Sequence, residues 1–167
     1  LSLVQFTASS EVSQQILFWL FGSLTKSTWT NVTVVAVVSS ICILLLMRDS
    51  WKLTALRLGE ERASALGVNL TRLRIKTLIL VAMMTATAIS FVGVIGFIGL
   101  VAPHVARLLV GEDQRYFLPA TMLAGAAFLS FSSVLSKMII PGALFPVGIV
   151  TSFVGVPFLF WIIWSKR

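Results

Sequence analysis

Charge is what this 167-residue sequence has least of: 11% of its residues are Asp, Glu, Lys or Arg, against 57% hydrophobic. A soluble domain of this length needs more polar surface to cover its core. The mean hydropathy of +0.99 instead points to long apolar stretches joined by short charged loops, the pattern of a helical membrane protein. Cysteine is nearly missing. The lone Cys42 excludes an internal disulfide or a cysteine-based metal cluster and reads as a small packed side chain inside a span. The lone histidine, His104, has no Cys, Asp or Glu ligand near it and makes a poor metal site. It reads as a structural polar contact, and no metal or cofactor is expected. No GxxxxGK[ST] phosphate loop occurs, and the apolar spans hold no paired carboxylate or nucleophile–base set. The chain is therefore not expected to be an ATPase or another enzyme. An initiator Met is also missing, and no secretory signal precedes the first apolar run. The expectation is a chain cut from a longer parent.

The charge that is present is basic and unevenly placed. Thirteen Lys and Arg stand against six acidic residues, a net charge of +7. Seven of the basic residues fall in one region, Arg48, Lys52, Arg57, Arg62, Arg72, Arg74 and Lys76, and Lys166 and Arg167 close the chain. Basic residues at the ends of apolar spans follow the positive-inside rule for cytoplasmic loops. Nucleic-acid binders spread theirs along a soluble face, so that class is set aside.

The apolar runs order themselves from the amino end. Glu11 to Gly22 is too short to span a hydrocarbon core that needs roughly 20 helical residues. With Trp19 and Trp29 nearby, residues 1–30 read as an external segment lying at the interface. Spans follow at about Asn31 to Met47, Thr77 to Phe97, Phe117 to Ser136 and Phe145 to Trp164, the last interrupted by Pro157. Residues 48–76 form the charged cytoplasmic loop between the first two. Three crossings after an inside loop would leave Lys166 and Arg167 outside, against the charge rule. The conflict disappears if Gly99 to Val110 also crosses, as a short helix with an irregular entry through the Gly- and Pro-bearing GFIGLVAPH (Gly96 to His104). Such backbone is tolerated at membrane depth where protein or a water-filled cavity satisfies it. This topology gathers Arg107, Glu112, Asp113 and Arg115 inside and leaves Lys26 and Lys137 outside. The small residues Gly93 to Gly99 suit a path lining and close helix packing equally.

Within the charged loop, Leu53, Leu56 and Leu58 suggest one face of a short helix that Gly59 breaks. Glu60, Glu61 and Arg62 open a second one through Ala65 and Leu66, stopped by Gly67, with acids in its first turn and glycine after its last. Two short helices held between spans make a compact knob, suited to docking and equally compatible with an ordinary loop.

Several motifs in order carry a resemblance. LRLGEERASALGV (Leu56 to Val68), GFIGLVAPHVARLLVGEDQRYFLP (Gly96 to Pro119), LAGAAFLSFSSVLSK (Leu123 to Lys137) and FPVGIVTSFVGVPFLFWII (Phe145 to Ile163) resemble the C-terminal half of permeases of the FecCD/vitamin B12-type ABC importer family. WLFGSLTKSTW (Trp19 to Trp29) resembles the external helix and turn of its iron-siderophore members. The resemblance implies an all-α polytopic bundle, about half of a ten-helix permease, in the bacterial plasma (inner) membrane. It implies pairing with a second permease copy or homologous half, two ABC ATPase subunits, and an extracytoplasmic substrate-binding protein. By the same resemblance, Leu56, Gly59, Glu60, Glu61, Ala63, Leu66 and Gly67 belong to the ATPase-coupling helices. Lys137 stands where a basic residue faces the binding protein, with Lys offering a point charge rather than a fork. Gly96, Gly99, Pro103, Pro146 and Gly148 fall in the translocation path and outer gate, although Pro146 and Gly148 are equally a turn into the last helix.

The function implied is ATP-driven import of an iron-siderophore-type chelate, with cobalamin or haem as alternative cargo. A gradient-driven secondary transporter is the rival class. It commonly carries ionisable residues within its spans, and these span interiors hold no Asp, Glu, Lys or Arg. A passive scaffold subunit is the third reading, and would need neither the broken entrance nor the knob.

Overall fold

The computed structural model describes residues 10–24, 27–139 and 146–165, and every regular element among them is a helix. In chain order these are α1 (Ser10–Leu20), α2 (Trp29–Arg48), α3 (Ser50–Leu56), α4 (Glu60–Ala65), α5 (Leu70–Val92), α6 (Ile98–Val110), α7 (Gln114–Ile139) and α8 (Val147–Ser165). Three of them, α2, α5 and α7, are long and apolar enough to cross a membrane; α6 and the Val147–Ile162 part of α8 are shorter apolar helices. The chain is an all-α, multi-pass membrane protein.

Local rules explain most helix ends. The Val- and Thr-rich start of α2 has poor helix propensity in water, but in hydrocarbon only a helix pairs every main-chain group within one segment. Thr28 caps it, its hydroxyl accepting from Asn31 N at 3.3 Å. Asn69 caps α5 by accepting from Arg72 N at 3.0 Å, so α5 begins at Leu70 rather than at Thr77. Arg72, Arg74 and Lys76 then ride its first two turns. It stops at Val92 rather than Phe97 because Gly93 takes φ +78. Asp113 caps α7 by accepting from Arg115 N at 3.1 Å, which moves that helix start from Phe117 to Gln114. The calls for Lys26, Phe145, Lys166 and Arg167 lie outside the described residues.

The contacts divide the chain into two units, one of residues 28–88 and 102–124, the other from the described parts of 1–27, 89–101 and 125–167. In the first, Val38, Cys42 and Leu46 on α2 meet Leu80 and Met84 on α5. Both sets follow the four-residue ridge that brings helix faces together, and Cys42, 2% exposed, sits in the middle of that seam.

The second unit is drawn together by main chain rather than by large side chains. Ser23 N donates to Val92 O at 2.9 Å and Gly148 N to Phe21 O at 3.1 Å. A Cβ on Gly93 would overlap the carbonyl of Trp19, and one on Gly148 that of Phe21. The break between α5 and α6 ends at Phe97, whose φ of 66 is strained for a residue with a side chain. A Cβ on Gly155 of α8 would overlap the Phe97 side chain. Thr151 and Ser152 both donate to Gly148 O, at 3.0 and 2.8 Å. Ser132 is fully buried, with no hydrogen-bond partner for its hydroxyl among the described residues.

Candidate functional site

The knob between α2 and α5 is built from two very short helices and a small core that it shares with the start of α5. Gly59 separates them at φ 106, ψ 152, a region open essentially to glycine alone. After α4 the chain closes with two main-chain bonds, Gly67 N to Ser64 O at 2.9 Å and Val68 N to Ala63 O at 3.1 Å. That pair, with Gly67 at φ +80, is a Schellman cap, which satisfies carbonyls that so short a helix would leave open. Ala55, Ala63, Val68 and Leu73 are buried together, with Leu53, Leu56 and Leu70 packed on them. A helix of six or seven residues is not stable alone, so this core is what keeps α3 and α4 folded.

Polar contacts then fasten the knob to the long helices. Asp49, at the junction of α2 and α3, has a side chain only 9% exposed and binds Lys52 at 2.7 Å and Lys76 of α5. These two hydrogen bonds, first from Lys52 and then from Lys76, hold its carboxyl below the ordinary carboxylate value and outweigh the opposing effect of burial. Glu60 pairs with Arg74 on α5. At the other end of α3, Arg57 reaches the α6–α7 turn. One of its nitrogens donates to Glu112 O at 3.2 Å and the other meets Glu112 Oε1 at 2.6 Å, an oxygen that also takes Arg107 Nε at 3.3 Å. Thr54 Oγ1 accepts from Gln114 N at 3.1 Å and lies 3.3 Å from Asp113 Oδ1.

The structure sorts the expected coupling residues into three groups. Ala63 is 0% exposed and Leu56 half-buried, both inside the knob core. Glu60, Glu61 and Leu66 are exposed, Leu66 by 58%, and Leu58 is exposed by the same 58%. Gly59 and Gly67 shape the chain between and after the helices. Asp49, Thr54 and Arg57 are the residues a sequence reading passes over as generic loop polarity. Only the gathering of Arg107, Glu112, Asp113 and Arg115 hinted at one side of these contacts.

The remaining expected site residues lie elsewhere on the chain. Lys137 is exposed in the last turn of α7. Gly96 and Gly99 have room for a side chain: a Cβ at Gly96 would meet Ser152 Oγ at 3.9 Å, and nothing lies within 4 Å of one at Gly99. Pro103 sits inside α6, where it removes the donor for the carbonyl of Gly99. Pro146 directly precedes α8 and Gly148 lies in its first turn, against the Phe21 carbonyl. His104 is half-buried in α6, and among the described residues no group of three or more His, Cys, Asp or Glu could hold a metal ion.

The model of the FecCD transport family matches residues 1–165. The chain belongs to the FecCD transport family. Among FecCD-type relatives, the hemin transport system permease protein HmuU of Yersinia pestis is 35% identical over 166 residues, covering 99% of this chain and 49% of that protein. The vitamin B12 import system permease protein BtuC of Vibrio parahaemolyticus is 32% identical, covering 95% of the chain and 48% of that protein. The Fe(3+)-citrate import system permease protein YfmD of Bacillus subtilis is 35% identical, over 92% of the chain and 46% of that protein. A solved structure described as an inward-facing metal-chelate type ABC transporter superposes with a TM-score of 0.91 at 34% identity, covering 99% of this chain and 55% of that one. The FecCD chain thus spans about half the length of the curated relatives it matches.

Proposed function

We propose that this chain is the C-terminal half of a permease subunit of an ABC importer in the bacterial plasma membrane, moving an iron-siderophore-type chelate. ATP is hydrolysed in partner subunits, and α3 and α4 are the elements that dock there. The observation carrying this reading is the knob itself. It is a capped pair of short helices between two membrane-crossing helices, packed on a small core shared with the start of α5 and presenting Leu58, Glu61 and Leu66 outward while that core and the glycines hold their positions. An ordinary connecting loop has no need of such a core.

The chelate class is supported by the relatives, whose names give hemin, ferric citrate and vitamin B12 as cargo. Each is a metal complex too large for a narrow ion pore. Membership of an ABC permease family supports a second permease copy or homologous half and an extracytoplasmic binding protein as further partners. Lys137 would meet that protein, while Gly96, Gly99, Pro103, Pro146 and Gly148 border the path and its outer gate. In α2, α5 and α7 every Asp, Glu, Lys and Arg stands within two turns of a helix end, which weighs against an ion-coupled carrier.

The test is co-purification of the full-length parent with its ATPase, comparing wild type with Glu60→Arg plus Leu66→Asp. Retention by the wild type and loss by a variant that stays folded in the membrane supports the reading. Equal retention, or no ATPase at all, removes it.

A further inference from the structure

The knob is joined to α5 by its core and by the Asp49 and Glu60 ion pairs, and it is joined separately to the α6–α7 turn, a joint with no role in the reading above. At the start of α3, Asp49 ties the knob to α5 through Lys76. At the end of α3, Thr54 and Arg57 grip the turn between α6 and α7. Seven residues of helix separate two sets of long helices, so α3 is a strut with a fixed joint at each end.

The chemistry of the second joint is directional. Gln114 N is the first-turn donor of α7, a group that helix geometry leaves without a partner. Thr54, on a different helix, supplies the acceptor at 3.1 Å. The Thr54 hydroxyl has one proton to share between Ser50 O, at 3.1 Å, and Asp113 Oδ1, at 3.3 Å, so its bond from Gln114 N is the one kept in either arrangement. Arg57 makes a two-pronged contact with Glu112, main chain and carboxylate together. A lysine cannot reproduce that fork. Glu112 also holds Arg107, three residues before the end of α6. Arg57 and Glu112 are partly exposed, with side chains 33% and 51% accessible, and exposed pairs add little to stability. What five contacts on one turn provide is register.

Resting on the coupling reading, we propose that this clamp passes displacement of the knob to α6 and α7. Arg57 and Thr54 are the positioning residues on α3, with Glu112, Asp113 and Gln114 as their seat. α6 is the helix that follows the broken segment ending at Phe97, whose φ is 66.

The experiment uses the full-length parent bound to its ATPase in lipid, in a cysteine-free background, with spin labels at Ser64→Cys on α4 and Tyr116→Cys on α7. Distances are measured with and without ATP and vanadate. With the clamp intact, knob and α7 move together and the distance holds. In Thr54→Val plus Glu112→Ala, vanadate trapping shifts it by about 2 Å or more, the scale of helix movements in such transitions. Thr54→Ser plus Glu112→Gln, which keeps the hydrogen-bonding groups, restores the wild-type behaviour. Should the double variant be lost from the membrane, Arg57→Lys alone reads the fork, with a smaller shift expected. Variants that retain the ATPase and track the wild-type distances overturn the clamp while leaving the coupling reading intact. A wild type that binds no ATPase overturns both, and does so before any clamp residue is changed.

Discussion

Lys76, two turns into α5, donates to the Asp49 carboxylate that closes α2, and Lys52 occupies the other oxygen of the same group. One nearly buried carboxylate thereby fixes how two membrane helices and the knob leave each other. Its pKa is held below the ordinary 3.8, so the ionised form is the one the fold favours. The stabilisation is present at neutral pH and lost as pH falls below 3.8 through the lower folded value. Asp49→Asn should cost about 1.5–3 kcal/mol at pH 7, the range for hydrogen bonds to charged groups. In thermal unfolding of the solubilised parent protein, the gap between wild type and variant should narrow below that pH. An equal gap at pH 7 and pH 3 would contradict the assignment.

The two knob glycines should answer differently to asparagine. Gly67 occupies the left-handed cap position, where asparagine is tolerated and alanine costs about 1–2 kcal/mol. Gly59 occupies the glycine-only region, where either replacement costs about 1–3 kcal/mol. Nothing lies within 4 Å of a Cβ at either position, so both effects are conformational. Melting curves of the four single variants should show Gly67→Asn alone close to wild type.

Position 63 and position 66 separate folding from docking. Ala63 is 0% exposed, and Ala63→Leu overfills the knob core at about 1–3 kcal/mol. Leu66 is 58% exposed, and Leu66→Ala should stay within about 0.5 kcal/mol of wild type while weakening ATPase retention several-fold. Measuring stability and pull-down on both variants checks the pair. A Leu66→Ala protein that binds as well as wild type argues against that side chain as a contact.

The glycines of the second unit also divide. Gly93→Ala and Gly148→Ala push a methyl into a main-chain carbonyl that cannot rotate away, and each should lower stability by about 1–3 kcal/mol or more. Gly99→Ala, in open space within α6, should be neutral or stabilising by about 0.5–1 kcal/mol. Expression and melting temperature of the three variants order them directly.

Composition and charge placement were enough by themselves to determine an all-helical membrane chain, because hydrocarbon offers a main chain few other ways to pair its groups. The α3–Gly59–α4–Gly67 pattern was legible too, since glycine punctuation and helix capping act within a few residues. α5 and α7 start at Leu70 and Gln114, ahead of the spans expected from about Thr77 and Phe117, because Asn69 and Asp113 cap them. Tertiary structure alone decided who meets whom. Arg57 reaches Glu112 across 55 residues and Lys76 reaches Asp49 across 27, and no charge count or helical period says which acid faces which base. Gly93 and Gly99 look alike in a small-residue run, yet only Gly93 has a carbonyl where its Cβ would stand. That difference is set by the distance between segments far apart in sequence, a quantity that exists only once the chain has folded.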